Sequence, residues 1–117
     1  MNRVFQQSYH IPGTLSANVT IKFTVPFDCQ LVHVSVVASN DSDATLKLGT
    51  SASDAAYLAA CTIGDSGTPV EKSLANFVGA QYPHIEDGTI FVATLDYDGA
   101  SGTAAANVTL VFTFTEG

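Results

Sequence analysis

Apolar and polar residues alternate along most of the chain, and two segments repeat the same pattern. Residues 16–25 read SANVTIKFTV and residues 105–114 read AANVTLVFTF. In both, apolar residues fill every second position, with Phe in the same row. A period of two with β-branched and aromatic residues is typical of strands with one buried face. We therefore expect two half-buried strands.

The shared pattern also predicts how these two segments are placed. In a jelly roll, the first core strand and the last strand lie antiparallel in one sheet, and neighbouring strands need matching inward rows. We expect residues 16–25 and 106–115 to lie side by side, with Phe towards the core and Asn and Thr towards solvent. The match stops after these residues, which argues against an internal duplication.

Weaker patterns predict the other strands. The segment 29–39 is rich in valine, with Val32, Val34 and Val36 on one face and a fairly apolar second face, which favours a central strand covered on both sides. The remaining expected strands are 3–9, which precedes a turn signal at Ile11-Pro12-Gly13, and then 44–49, 70–77 and 89–97.

One segment, 51–64, is a helix candidate, because Ser53 could cap it and Gly64 could end it; an extended loop fits nearly as well. The predicted fold is therefore all-β: a single jelly-roll-like antiparallel β-sandwich of about eight strands, with one short helix or loop insertion near 53–60. We divide the chain into an N-terminal strand or arm at 1–15 and a β-sandwich domain at 16–117.

Composition narrows the classes of partner. Four Lys and Arg, scattered singly, stand against eleven Asp and Glu, for a net charge of −7. Binding to phosphates needs clustered cations, so we expect neither nucleic acid nor an anionic membrane as a partner. No segment approaches the roughly 20 apolar residues of a membrane span. The start of the chain carries no apolar stretch of signal-peptide length, so we expect synthesis in a cytoplasm without processing.

Several short patterns have simple structural interpretations. Cys29 and Cys61 are expected to be free thiols, as is usual in a reducing compartment. Asn18, Asn40 and Asn107 begin glycosylation sequons, but a chain that is not secreted would not be modified there. These sequons therefore do not indicate a function.

A calcium loop is the nearest approach to a metal motif. DYDG at 96–99 begins like one, but Ala105 stands where an EF-hand loop needs its bidentate Glu. A site built from Asp41, Asp43 or Asp65 stays open beside the simpler interpretation, an Asp-Gly turn. We expect no bound metal and no cofactor.

Catalytic patterns are also missing from the sequence. The histidines His10, His33 and His84 lack the close spacing of zinc ligands. No Gly-x-Ser-x-Gly occurs, and the paired carboxylates at 85–87 and 96–98 lie in expected turns, where acidic residues are common. We expect that the protein is not an enzyme.

Two long segments carry a resemblance to a known family. They are TVPFDCQLVHVSVVASNDSDATLKLGTS at 24–51 and IEDGTIFVATLDYDGASGTAAANVTLVFTFTEG at 85–117. Both segments consist of short strands with recognisable ends, and the second finishes with a threonine-rich strand. In this order of elements the chain resembles the small β-sandwich auxiliary proteins of tailed bacteriophages, notably capsid decoration or cement proteins. The resemblance covers most of the chain from about residue 20 and carries over no site residue.

The resemblance implies a structural virion protein without catalysis. Such a protein binds the outer surface of a phage capsid after synthesis in the host cytoplasm. It stabilises contacts between major capsid protein subunits, commonly as a homotrimer. Its likeness to this chain makes the major capsid protein the expected partner.

The N-terminal segment MNRVFQQSYHIPG is the expected contact with a capsid neighbour. It contains Arg3, Phe5 and Tyr9, residue types that are enriched at interface hot spots. An edge strand of the domain's own sheet is an equally good interpretation of the same residues.

Two other functions fit the sequence. One is a glycan-binding β-sandwich module on a receptor-binding or fibre component, for which Tyr57, Tyr82 and Tyr97 are candidate contacts, although the chain has no Trp. The other is a tail or head–tail structural component.

Overall fold

The computed structural model describes residues 3–117, and residues 1 and 2 of the predicted N-terminal segment lie outside the described residues. The described chain contains nine strands and two short 3-10 turns at Leu74–Asn76 and Val78–Ala80. The strands are β1 (Val4–Thr14), β2 (Val19–Thr24), β3 (Cys29–Val37), β4 (Thr45–Thr50), β5 (Leu58–Thr62), β6 (Val70–Lys72), β7 (His84–Ile85), β8 (Ile90–Asp96) and β9 (Ala106–Glu116). Within residues 3–117, no helix has the length and apolar character needed to cross a bilayer.

The strands form two antiparallel sheets that pack face to face. Sheet A has the order β1-β9-β3-β6, with β7 also paired to β3, and sheet B has the order β2-β8-β4-β5. When the two-residue β7 is set aside, this is the strand order of an eight-stranded jelly roll. The predicted all-β sandwich is confirmed.

The core lies between the sheets and is richest in phenylalanine. Phe91 on β8 and Phe112 and Phe114 on β9 are fully buried, and their rings meet edge to face, with Phe91 5.4 Å from Phe112 and 5.6 Å from Phe114. Such pairs stabilise by about 0.5–1.5 kcal/mol each beyond the burial of their area. The inward row that alternation predicted for residues 105–114, together with Phe91, therefore forms the centre of the core.

The expected pairing of 16–25 with 106–115 is wrong. β2 lies in sheet B and pairs with β8, so that Phe23 stands beside Phe91. β9 lies in sheet A between β1 and β3, and Phe23 faces Phe112 and Phe114 across the core at 6.3 and 6.0 Å. The two segments share a pattern because they face one core from opposite sheets.

The strand that does pair with β9 at the sheet edge is the weakly alternating N-terminal one. β1 runs antiparallel to β9 from Val4 opposite Thr115 to Thr14 opposite Ala106. It continues through the expected turn at Ile11-Pro12-Gly13 by means of a register shift between Ile11 and Thr14. A local Pro-Gly signal here marks an irregular strand end, since the ladder to β9 holds the chain extended.

No helix forms in the segment 51–64. Residues 51–57 make a tight loop, the other alternative, and Leu58–Thr62 form β5 at the edge of sheet B. The loop presses against β4: the Tyr57 amide donates to the Leu48 carbonyl, and a Cβ on Gly49 would lie 2.1 Å from the Ser53 carbonyl oxygen. Burial of Tyr57 and Leu58 against the core outweighs the helical preference of the alanines.

Two further expectations need correction. The strand expected at 70–77 is only three residues long, because the chain turns at Leu74–Asn76 and Val78–Ala80 to bury Phe77. β3 is central, but its outward side chains are half-buried, not covered. A register shift between Leu31 and His33 also places both Leu31 and Val34 in the core.

Candidate interaction surface

Arg3 fastens the start of β1 to the end of β9. Its guanidinium donates to the Glu116 carboxylate, with Nε 3.1 Å from Oε2, and its backbone N–H donates to Oε1 of the same carboxylate. The guanidinium also lies 3.9 Å from the centre of the Phe27 ring. These hydrogen bonds hold the pKa of Glu116 below its ordinary value.

Phe5 and Tyr9, the other two predicted contact residues, point inwards from β1. Phe5 stacks on Phe114 with 4.7 Å between ring centroids, and Tyr9 stacks on Phe23 at 6.1 Å. Both rings are half-buried. The structure thus brings Arg3, Phe5 and Tyr9 onto one strand, where each is engaged within its own chain.

β1 forms one edge of sheet A and β2 forms the edge of sheet B on the same side, as the Tyr9–Phe23 contact shows. Between them runs a seam of half-buried apolar side chains, which we call the β1–β2 seam: Phe5, Tyr9, Ile11, Val19, Phe23 and Phe27. A seam of aromatic residues beside free strand edges is suited to contact with another protein surface.

Acidic residues collect at the two ends of the sandwich. One end has an open cavity of about 380 Å³ lined by Phe27, Asp28, Asp87, Glu116 and Gly117. The Asp28 carboxylate accepts the Asp87 N–H at 2.8 Å. This carboxylate therefore orders the β2–β3 and β7–β8 connections against each other.

The other end contains the residues considered for calcium. A small cavity of about 140 Å³ is lined by Asp41, Ser42, Asp43 and Thr103, and the Asp43 carboxylate accepts the Thr103 N–H at 2.7 Å. In the DYDG turn, Asp96 accepts the Asp98 N–H at 3.0 Å. Over residues 3–117, no three His, Cys, Asp or Glu side chains are grouped to hold a metal ion.

Neither the cysteines nor the histidines converge on a site. Cys29 and Cys61 are free thiols, and burial raises the pKa of Cys29 to about 11, which makes it a poor nucleophile. His33 lies 3.1 Å from Glu71 on the outer face of sheet A, and His10 lies 2.8 Å from the Thr109 hydroxyl. These are contacts between neighbouring strands.

The tyrosines proposed for glycan contact differ in exposure, and Tyr97 is half-buried. Tyr57 is buried and stacks on Phe91 at 5.9 Å, while Tyr82 is exposed. The C–H face of a sugar ring packs on an exposed aromatic ring, and Tyr57 does not offer one.

Sequence reasoning missed an exposed apolar patch on the connection between β6 and β7. Leu74, Val78 and Tyr82 are 44%, 49% and 38% exposed there. The signal was available, because residues 73–83 contain no charged side chain. Apolar side chains clustered on a connection mark a second candidate contact surface.

Comparison of the fold with solved structures finds chains from virus structures. The chain aligns over 99% of its length with 85% of a chain from the capsid asymmetric unit of cyanophage Pam1, with a TM-score of 0.54 and 19% sequence identity. A chain of infectious bursal disease virus, strain Gx, aligns over 98% of this chain and 32% of its own length, with a TM-score of 0.40 and 13% identity.

No family model matches the sequence. No curated protein matches it either. What the comparisons establish is the fold: the chain shares its jelly-roll sandwich, over nearly its full length, with a chain of the cyanophage Pam1 capsid asymmetric unit.

Proposed function

We propose that this protein is a structural component of a virion, located on the outer surface of a phage capsid. It binds the major capsid protein and stabilises contacts between neighbouring subunits. It acts by binding and not by catalysis. It is made in the host cytoplasm and assembles as a homo-oligomer, for which the family resemblance suggests a trimer.

One observation carries the proposal. The chain matches, over 99% of its residues, a chain in a phage capsid asymmetric unit, and it accounts for 85% of that chain. A single small jelly roll is therefore nearly the whole of the matched chain, which supports a structural role in a capsid.

The surface of the sandwich is consistent with binding. The β1–β2 seam and the apolar patch at Leu74, Val78 and Tyr82 offer two places where apolar area can be removed from water. A net charge of −7 keeps the free protein soluble before it assembles. Repetition over a symmetric shell turns modest single contacts into strong attachment.

The first experiment counts copies in particles from the natural source. Intact particles are purified on a density gradient, and the ratio of this chain to the major capsid protein is measured by quantitative mass spectrometry. A ratio near one supports the capsid-surface role. A handful of copies per particle would instead support a tail or head–tail component, and absence from particles would sink the virion proposal.

A second experiment tests where the capsid is contacted. Particles that lack the protein are titrated with purified wild-type protein and with Arg3→Gln. If the N-terminal segment docks on the capsid, Arg3→Gln binds more weakly than wild type. The matched control is Lys22→Gln, which removes an exposed cation from β2 in the other sheet and should bind as wild type does. Equal weakening of capsid binding by both variants would mean that binding depends on the net charge and not on the N-terminal segment.

A further inference from the structure

The free edge of β1 exposes a regular row of unpaired peptide groups. The Arg3 carbonyl accepts the Glu116 N–H at 2.7 Å, so the peptide groups of residue 3 point towards β9. Peptide groups in an antiparallel strand alternate in direction. Those of Phe5, Gln7 and Tyr9 therefore face β9. The groups that face the free edge are those of Val4, Gln6, Ser8 and His10.

Between Val4 and Ile11 this edge lacks the usual protection against pairing, since Pro12 and the register shift of β1 lie beyond Ile11. Edge strands are generally short, charged, bulged or interrupted by proline. The other outer strands are short: β2 has six residues and carries Lys22, β5 has five and β6 has three. β1 has eleven residues, contains neither Lys, Arg, Asp nor Glu, and keeps an unbroken register from Val4 to Ile11. It is the one long, neutral edge among the described strands.

We propose that β1 pairs antiparallel with β1 of a second copy across a twofold axis at Gln7. In this register Val4 lies opposite the second copy's His10, and Gln6 lies opposite the second copy's Ser8. Every outward N–H and C=O of the four edge-facing residues then finds a partner, which makes eight hydrogen bonds. Sheet A becomes one continuous sheet through both copies.

Neighbouring registers satisfy fewer of these groups. An axis at Ser8 places Val4 opposite Pro12, which has no N–H to donate. An axis at Gln6 leaves His10 without an opposite residue among those that the structure describes. A shift by one residue would set core-facing side chains against solvent-facing ones. The chain is therefore most complementary to itself at Gln7.

The side chains favour the same register. On the inward face Phe5 lies opposite the second copy's Tyr9. Because the twofold axis repeats this pair, the second copy covers both half-buried rings of β1. Gln7, half-buried between them, lies opposite its own copy, where two amides can exchange hydrogen bonds. No carboxylate side chain of β1 lies in the contact, because β1 contains neither Asp nor Glu.

This inference does not depend on the capsid role, since the pairing needs only the isolated protein. A pairing of identical strand edges is isologous and produces a twofold dimer, not the trimer suggested by the family resemblance. It also uses Phe5 and Tyr9 for contact between copies, whereas the capsid contact would use them against another protein. The two hypotheses are therefore separable in solution.

The test measures mass and register on the full chain. Sedimentation equilibrium should give twice the chain mass of 12.2 kDa for wild type. Ser8→Pro removes an edge-facing N–H from each copy and spares the bonds to β9, so dimer affinity should fall by about tenfold or more. Ser8→Thr keeps the N–H and should dimerise as wild type does. A monomeric or trimeric wild type, or a dimer indifferent to Ser8→Pro, would overturn the proposal.

Cross-linking tests the register even if Ser8→Pro fails to fold. In a Cys61→Ser background, Gln7→Cys places one thiol opposite its own copy at a non-hydrogen-bonded pair, where Cα atoms are close enough for a disulfide. Mild oxidation should give a covalent dimer. Gln6→Cys, opposite Ser8 instead of itself, should cross-link far more slowly. Equal yields from the two variants would contradict the twofold at Gln7.

Discussion

Arg3 and Glu116 join the beginning of the first strand to the end of the last one. The Arg3 side chain donates to Oε2 of Glu116, its backbone N–H donates to Oε1, and its carbonyl accepts the Glu116 N–H at 2.7 Å. One residue therefore binds both the side chain and the backbone of its partner. This pair fixes the register of β1 against β9 at the N-terminal end of β1.

The first prediction concerns the pH dependence of this pair. Hydrogen bonds from Arg3 lower the pKa of Glu116 in the folded state, so the pair stabilises the fold above the unfolded pKa of Glu116. That stabilisation is lost as the pH falls through the lowered, folded pKa. Arg3→Gln should therefore lower Tm at pH 7, and the difference from wild type should shrink as Glu116 becomes protonated.

Thermal unfolding followed by circular dichroism at several pH values checks this. Lys22→Gln removes one positive charge elsewhere and should show no such pH dependence. High salt should reduce the effect of Arg3→Gln at pH 7, because both groups are partly exposed to solvent. A difference from wild type that is the same at pH 7 and in acid would mean that the ion pair is not its cause.

The second prediction concerns the aromatic core. Phe91 is fully buried and contacts the rings of Phe23, Phe112 and Phe114. Phe91→Ala should lower the free energy of unfolding by about 3–5 kcal/mol, since it leaves a cavity between the sheets. Ile90→Ala, one residue earlier on β8, is the matched control because Ile90 is 42% exposed, and its cost should stay within about 0.5 kcal/mol.

Urea unfolding with a linear extrapolation measures both values. Equal costs for Phe91→Ala and Ile90→Ala would show that β8 does not present Phe91 to the core.

The third prediction separates the two Asn-Val-Thr segments. Asn107 accepts the Gly13 N–H at 2.8 Å and donates to the Ser39 hydroxyl at 3.0 Å, with a left-handed φ of 52° that asparagine tolerates well. Asn18 accepts only the Tyr97 N–H, at 3.2 Å, among the bonds found in the described chain. Asn107→Ala should therefore cost more stability, about 1–3 kcal/mol, than Asn18→Ala.

Urea unfolding of the two alanine variants makes this comparison directly. The first Asn anchors the start of β2 to the loop after β8, and the second anchors the start of β9 to the end of β1 and to the loop after β3. A larger loss for Asn18→Ala than for Asn107→Ala would contradict the assigned hydrogen bonds.

The fourth prediction concerns the thiols. Cys29 is fully buried, and burial raises its pKa to about 11, whereas Cys61 on edge strand β5 is partly exposed. A thiol reagent at pH 8 should label Cys61 in the native protein and label Cys29 only after unfolding. Cys61→Ser should therefore abolish native labelling, and fast native labelling of that variant would place Cys29 at the surface.

The raised pKa of Cys29 also predicts how the stability of the fold changes at high pH. The unfolded state loses its thiol proton near pH 9, while the folded state retains it until the pH reaches about 11. Stability should therefore fall as the pH rises between these values, and Cys29→Ala should remove that part of the dependence.

Alternation along the sequence determined which residues face the core on the regular strands. It correctly placed Phe112 and Phe114 on β9 inwards, because a strand with one buried face must present every second side chain to the interior. The absence of helical periodicity outside 51–64 also determined the all-β class. These properties depend on local spacing, which a sequence displays directly.

Only the tertiary structure decided which strands are neighbours. Residues 16–25 and 105–114 carry one pattern, yet Phe23 and Phe112 meet across the core from different sheets, because alternation specifies an inward face and not the sheet to which that face belongs. For the same reason the weak alternation of β1 did not indicate its long pairing with β9. Residues 51–57 form a loop and not a helix because they pack against Gly49. The candidate surfaces followed from this arrangement, since β1 has a free edge only because β9 pairs with its other side.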